Sequence, residues 1–413
     1  MKIANIYARE ILDSRGTPTV EATAELENGL RASASAPSGA SAGTHEAVQK
    51  RDGGGRYGGK GVLFAVKAVS GAIADGLRGM DVRDQSAIDA LLIALDGTPN
   101  KSALGANAIL PVSVACARLA AKALGVPMYR YLGGARARRL PRPMMNVLNG
   151  GAHADNNVDI QEFMLVPAEG ASAAEGVRMG AEIYMALKRE LKQRGLSSAV
   201  GDEGGFAPNL DGDEEALSLL ESASAKAGYA PGRDVFYALD FAASGWKDGD
   251  GYVLPKRGLR FTRDEMIDYV CRLTEAHPIL SVEDALHEDD FEGFSRLTRR
   301  LKGACLTVGD DLFVTNPQRI REGAKRASAS AVIVKPNQIG TLTETLDAVD
   351  AAREAGMKVV VSHRSGDTTD DFLADLAVGV SADFLKSGAP ARGERCAKYN
   401  RLTRIAREIY GEE

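Results

Sequence analysis

The sequence predicts an α/β protein, a C-terminal (β/α)8 barrel preceded by an N-terminal α+β domain that caps it. Three observations predict this. Short apolar runs alternate with amphipathic stretches through the last two thirds of the chain, and recurrent strand–helix units build a parallel sheet. Eight such runs over roughly 250 residues suit a closed barrel better than an open sheet. The first third reads differently, as two alternating strands followed by a helix-rich stretch.

Bulk composition narrows the function classes. A length of 413 residues accommodates two domains, and a 44% hydrophobic share is enough for a large core. The formal net charge of −5 and the lack of any Lys/Arg-rich run give no electrostatic reason to bind nucleic acid. The start, MKIANIYAREILDSRG, reaches charged residues without an apolar signal core. No uninterrupted apolar run reaches bilayer length, so a cytoplasmic protein without a membrane partner is expected. Cys116, Cys271, Cys305 and Cys396 stand far apart with no CxxC pair, which predicts free thiols rather than disulfides or a zinc site.

In the N-terminal part, residues 2–8 and 18–26 alternate as strands do, with SRGTP as the reversal. A Ser/Gly/Ala loop follows at 35–44 and helices from about 61 to 125, with a kink or break expected at Pro111. GGGRYGGKG (53–61) lacks the Walker spacing and reads as a loop. The Arg-rich stretch 133–143 joins two domains, placed at 1–135 and 136–413. The eight barrel strands are expected at 144–148, 161–166, 235–239, 279–283, 305–309, 331–335, 358–363 and 382–386. Only the first pair lacks room for an intervening helix, so that end of the barrel is expected to be irregular.

The chemistry lies in how these strands end. Asp240, Glu283, Asp310, Lys335, His363 and Lys386 each follow or close an apolar run. Strand C-termini of a parallel barrel open on one face, where barrel enzymes keep their sites. A single acid after a strand is ordinarily a cap, but six polar ends in succession aim carboxylates, lysines and a histidine at one mouth. Three carboxylates without nearby cysteine form a hard oxygen site that favours Mg²⁺ over zinc. The two lysines are either structural ion-pair partners, or one is a base, its pKa lowered by neighbouring cations, and the other holds an anion. Upstream, NGGAHADNNVDIQEF carries His153, Gln161 and Glu162, and VGDEGG carries Asp202 and Glu203 between glycines. SHRSGD sets Arg364 beside Ser365, a pairing that suits a phosphate.

Together, REILDSRGTPTVEA, APSGASAG, PMMNVLNGGAHADNNVDIQEFM, VGDEGGFAPN, SVEDAL, VGDDLFVTNP, VKPNQIGTLTETLDAV, SHRSGD and LKSGAPARGERCAKYNRLTRI resemble the enolase (phosphopyruvate hydratase) family, in family order and over nearly the whole chain. The resemblance implies an enolase-type barrel and a glycolytic hydro-lyase that converts 2-phosphoglycerate, a small phosphorylated three-carbon acid, to phosphoenolpyruvate. It implies two Mg²⁺ per site, with Mn²⁺ as an alternative, and a homodimer or higher homo-oligomer. Asp240, Glu283 and Asp310 would hold one ion and Ser41 would help hold the second. Lys335 would be the base and Glu203 the acid, assisted by Glu162. Lys386 would meet the carboxylate, Arg364 and Ser365 the phosphate, and His153 would sit near it on a closing loop; His363 and Gln161 complete the substrate-binding set.

Three positions depart from the family pattern, in loops near the phosphate end: Ala42 for Thr in SGASTG, and Asp367 and Thr369 for Glu in SHRSGETED. They keep open an enolase-like paralogue of phosphonate biosynthesis, of the carboxyphosphonoenolpyruvate synthase type. A non-catalytic protein of the same fold is the third reading, disfavoured because every required ionisable group is present.

Overall fold

A computed structural model of the chain describes residues 1–39 and 43–411. Strands β1 (Ile3–Leu12), β2 (Pro18–Leu26) and β3 (Arg31–Ser35) form an antiparallel sheet in that order. The reversal between β1 and β2 is made by Asp13, whose Oδ1 accepts the backbone N–H groups of Arg15 and Thr17. Along β2 the period-two pattern buries Val20, Ala22, Ala24 and Leu26 on one face. Helix α1 (Ala106–Leu124) packs on β2 and β3, and small side chains such as Ala108, Ala115 and Ala117 are among those it buries.

Of the kink or break expected at Pro111, the break does not occur, and one helix runs from Ala106 to Leu124. Burial of Leu110, Pro111 and Val112 outweighs the lost hydrogen bond and ring clash of about 3 kcal/mol. Also against expectation, α1 is long and apolar enough by composition to cross a membrane, but 78% of that stretch is buried within the protein. A helix apolar on every side is what a core position requires.

Eight strands close the barrel: β4 (Arg142–Asn149), β5 (Glu162–Pro167), β6 (Val235–Asp240), β7 (Ile279–Glu283), β8 (Leu306–Gly309), β9 (Ala331–Val334), β10 (Lys358–Ser362) and β11 (Phe384–Lys386). Each lies on an expected run. The sheet is not wholly parallel, because β5 runs antiparallel to both β4 and β6. The 150–161 connection carries only a short turn of helix at Gly151–His153, too little for the crossover a parallel pair needs. The reversed β5 therefore begins at the mouth, where Glu162 pairs with Asn149 and Asp240.

Two layers of apolar side chains hold the barrel. Met144, Met164, Val308, Ile333, Val360 and Phe384 belong to the cluster that fills its interior. Val332, Val334, Val359 and Val361, which alternate with them, join the larger core under the helices. All four cysteines are free, and Cys116, Cys271 and Cys305 are buried.

The N-terminal elements are tied to the barrel beside its mouth. Ser38 and Gly366 exchange backbone hydrogen bonds at 2.7 and 2.8 Å. Arg118 of α1 clamps Asp370 at 2.7 and 2.8 Å, and Asp370 Oδ2 also accepts the Ser35 N–H. Burial raises the Asp370 pKa, but the Arg118 guanidinium outweighs it and leaves the carboxyl below its ordinary range. The pair's stabilisation is thus complete above the unfolded value, about pH 4, and is lost as pH falls through the folded value. Asp370→Asn is expected to lose about 3 kcal/mol of unfolding free energy at neutral pH. Urea titrations should show that deficit shrinking below about pH 4.

Candidate active site

The strand ends converge on a cleft lined by His153, Gln161, Glu162, Glu203, Asp240, Asp310, Lys335, His363, Arg364, Ser365 and Lys386. Glu283 lies just behind, in register with Asp240 on the neighbouring strand and 1% exposed. Ser41 and Ala42 lie outside the described residues.

Lys386 is the electrostatic centre. Its ammonium lies 2.9 Å from both Glu283 oxygens, 3.2 Å from Asp240 Oδ2 and 3.3 Å from Glu162 Oε1. Burial opposes its charge, but these carboxylates outweigh it and hold the ammonium well above its ordinary range. Lys335 makes a second ion pair, with Asp310. Burial likewise opposes that charge and Asp310 more than compensates, so Lys335 is held as an ammonium with a raised pKa. This departs from the lowered value expected of a base. The cause is Asp310, which is itself held below its ordinary range by Lys335 and Lys386 despite burial.

Several groups at the site escaped the sequence reading. Asp284, at φ 43°, accepts the N–H groups of Asp310 and Asp311 at 3.0 and 2.6 Å and so joins the ends of β7 and β8. Asp284, Asp310 and Asp311 bring carboxylate oxygens within 4.8 Å of one another, as do His153, Glu162 and Glu203 with one donor atom each. Burial and Asp310 push Asp311 up to about 7. Glu46 grips Arg364 with both oxygens, at 2.8 and 3.1 Å. The acid pairs in SVEDAL and VGDDL were visible signals; Glu46 carried none.

Glu203 and Glu162 form a second acid pair. Asn146 Nδ2 donates to Glu203 Oε2 at 2.9 Å. His153 Nδ1 lies 3.7 Å from Glu203 Oε1 and 4.0 Å from Glu162 Oε1, between the two carboxyls. Burial and the Glu203 charge push Glu162 well above its ordinary range. Glu162 is therefore the carboxyl of the pair that is held protonated.

Among the described residues lining the cleft, even with Glu162 protonated, the acidic side chains Glu46, Glu203, Asp240, Asp284, Asp310 and Asp311 outnumber the cations Lys335, Arg364 and Lys386. An anionic ligand enters such a site only with added positive charge. Hard oxygen donors ending adjacent strands, with Glu162 Oε2 buried and unpartnered, fit a divalent metal. Lys386→Met would leave these carboxylates uncompensated. Denaturant unfolding in EDTA should show the variant about 3 to 5 kcal/mol less stable than the parent, and equal stability would show that Lys386 does not neutralise the cluster.

The comparisons with known proteins agree with this geometry. Residues 3–132 match the model of the enolase N-terminal domain and residues 137–413 that of the enolase C-terminal TIM barrel domain. The enolase of Natranaerobius thermophilus is 53% identical over 409 residues, covering 99% of this chain and 96% of that protein. The chain belongs to the enolase family and is a hydro-lyase.

Proposed function

We propose that the cleft removes water from 2-phosphoglycerate with Lys335 as base and Glu203 as acid. The observation that carries this reading is their placement in one cleft, Lys335 at the end of β9 and Glu203 on the loop beside β4. The protein converts 2-phosphoglycerate to phosphoenolpyruvate. Lys335, as the free amine, takes the proton from the carbon next to the carboxylate. The electron pair left behind forms the new double bond as the hydroxyl leaves the next carbon. Glu162, which holds a proton, passes it across His153 to Glu203, and Glu203 delivers it to the departing hydroxyl. Arg364 and Ser365 receive the phosphate, with Arg364 exchanging part of its Glu46 pairing for it. Lys386 meets the substrate carboxylate, with His363 and Gln161 bordering the pocket.

Metal chemistry belongs to the same proposal. Two Mg²⁺ ions, or Mn²⁺, are assigned to the site, one held by Asp240, Glu283 and Asp310 and the second assisted by Ser41. Divalent charge there would stabilise the dianion formed on proton loss and draw Asp310 away from Lys335, freeing the amine. The reading extends to a division at 135/136, a homodimer, and a cytoplasmic protein with no nucleic-acid or membrane partner. The boundary is supported by the short turn Gly134–Arg136 before β4.

Among the described residues, no structural observation favours a phosphonate substrate. Asp367 faces Lys398 at 3.1 Å and hydrogen-bonds the Thr368 N–H, outside the cleft lining. Thr369 is exposed.

Absorbance of the enol product tests the proposal. The protein with 2-phosphoglycerate and Mg²⁺ should turn over at tens per second and stop in EDTA. Lys335→Ala and Glu203→Gln should each lower kcat about 10³-fold. Full activity of either folded variant removes that residue from its assigned role.

A further inference from the structure

We propose that Arg395 is a positioning residue that fixes His363 as the Nε2–H tautomer facing Glu203, locking the acid loop to the phosphate loop. Its consequence for catalysis rests on the acid role given to Glu203 above; the tautomer itself does not.

Arg395 lies in the first turn of helix α2 (Gly393–Tyr410) and is 0% exposed. Its Nη1 lies 2.7 Å from His363 Nδ1 and donates to the Arg364 carbonyl at 2.7 Å. Its Nη2 donates to the carbonyls of Ser365 at 2.6 Å and Asp202 at 3.0 Å. One guanidinium thus holds the loop that carries Glu203 and the loop that carries Arg364 and Ser365. Its ion pairs are longer, 3.3 Å to Glu394 and 3.9 Å to Asp367.

A guanidinium donates through every N–H and accepts nothing. The His363 nitrogen that faces it must therefore be the bare acceptor. A neutral imidazole with a bare Nδ1 carries its proton on Nε2. That nitrogen points at Glu203 Oε2, 3.5 Å away, the same oxygen that receives Asn146. Asn146 hydrogen-bonds this oxygen while the His363 N–H faces it at 3.5 Å, and an imidazolium would set a second N–H against the guanidinium. Burial pushes His363 down to about 4, in keeping with a ring that stays neutral. Asp367 is the other charged group on this ring.

The backbone makes room for the arrangement. Gly388 sits at φ +71°, and a Cβ there would lie 2.8 Å from Arg395 Cδ, 2.8 Å from the Glu203 carbonyl and 3.1 Å from His363 Cε1. The chain gives up a side chain where these three groups converge.

Ring ¹⁵N chemical shifts of histidine-labelled protein, with His363 assigned through the spectrum of His363→Gln, test the inference directly. A bare Nδ1 and a protonated Nε2 are expected across about pH 6 to 8. Arg395→Lys, which keeps the charge but not the planar fork, should mix the two tautomers. Its kcat for 2-phosphoglycerate should fall about 10- to 100-fold with a much smaller change in KM. Arg395→Ala should regain activity with added guanidinium ion but not with equal ammonium. An Nδ1–H tautomer in the parent protein overturns the proposal. So does Arg395→Lys with parental tautomer and kcat, or an activity loss that only tracks the unfolded fraction in a thermal melt. If Glu203→Gln turned over normally while His363 kept the stated tautomer, the acid role would fall and the positioning role would stand.

Discussion

The constraint on which the rest of the structure depends is the charge gathered at the barrel mouth. Asp240, Glu283 and Asp310 end three neighbouring strands, Asp284 and Asp311 follow them, and Glu162 begins the strand beside Asp240. Like charges in a low-dielectric site repel strongly. Lys386 and Lys335 are placed so that each carboxylate of the first three has an ammonium partner. The same imbalance calls for divalent cations when an anionic substrate arrives. The side chains that neutralise one another in the fold are therefore the same ones to which the proposed chemistry is assigned.

Around this centre the protein uses arginines where lysines would not serve. Arg364 takes both oxygens of Glu46, Arg118 clamps Asp370 across the seam between α1 and the barrel, and Arg395 reaches two loops and a histidine ring. Each task needs a planar fork that donates in several directions. The two sides of the seam meet at Ser38 and Gly39, where Arg15 also donates to the Gly39 carbonyl at 2.9 Å. The loop segments bordering the cleft are thus anchored on both sides by the groups that set its electrostatics.

The barrel was legible because its strands are buried on both faces and read as continuous apolar runs, and polar strand ends mark the mouth. The direction of β5 was not legible. Its run looks like the others, and only the shortness of the 150–161 connection hinted at reversal. Pro111 misled because local geometry favours a break while packing against β2 and β3 favours continuity. Asp284 was hidden in plain sight, an acid beside an acid, because its job is to accept backbone N–H groups from the next strand.

By itself the sequence determined the fold class, the positions of the barrel strands and which ionisable groups stand at their ends. These follow from period, burial and chain order, which are local properties. Tertiary structure alone decided which groups meet. Glu46 is far from Arg364 in the chain, as is Asp202 from Arg395, and Lys386 joins carboxylates from β5, β6 and β7. Such pairings depend on barrel closure and on how the N-terminal elements seat against it, and so do the proton on Glu162 and the tautomer of His363. Charge and hydrogen bonding act across space at a few ångströms, and a linear chain does not display that distance.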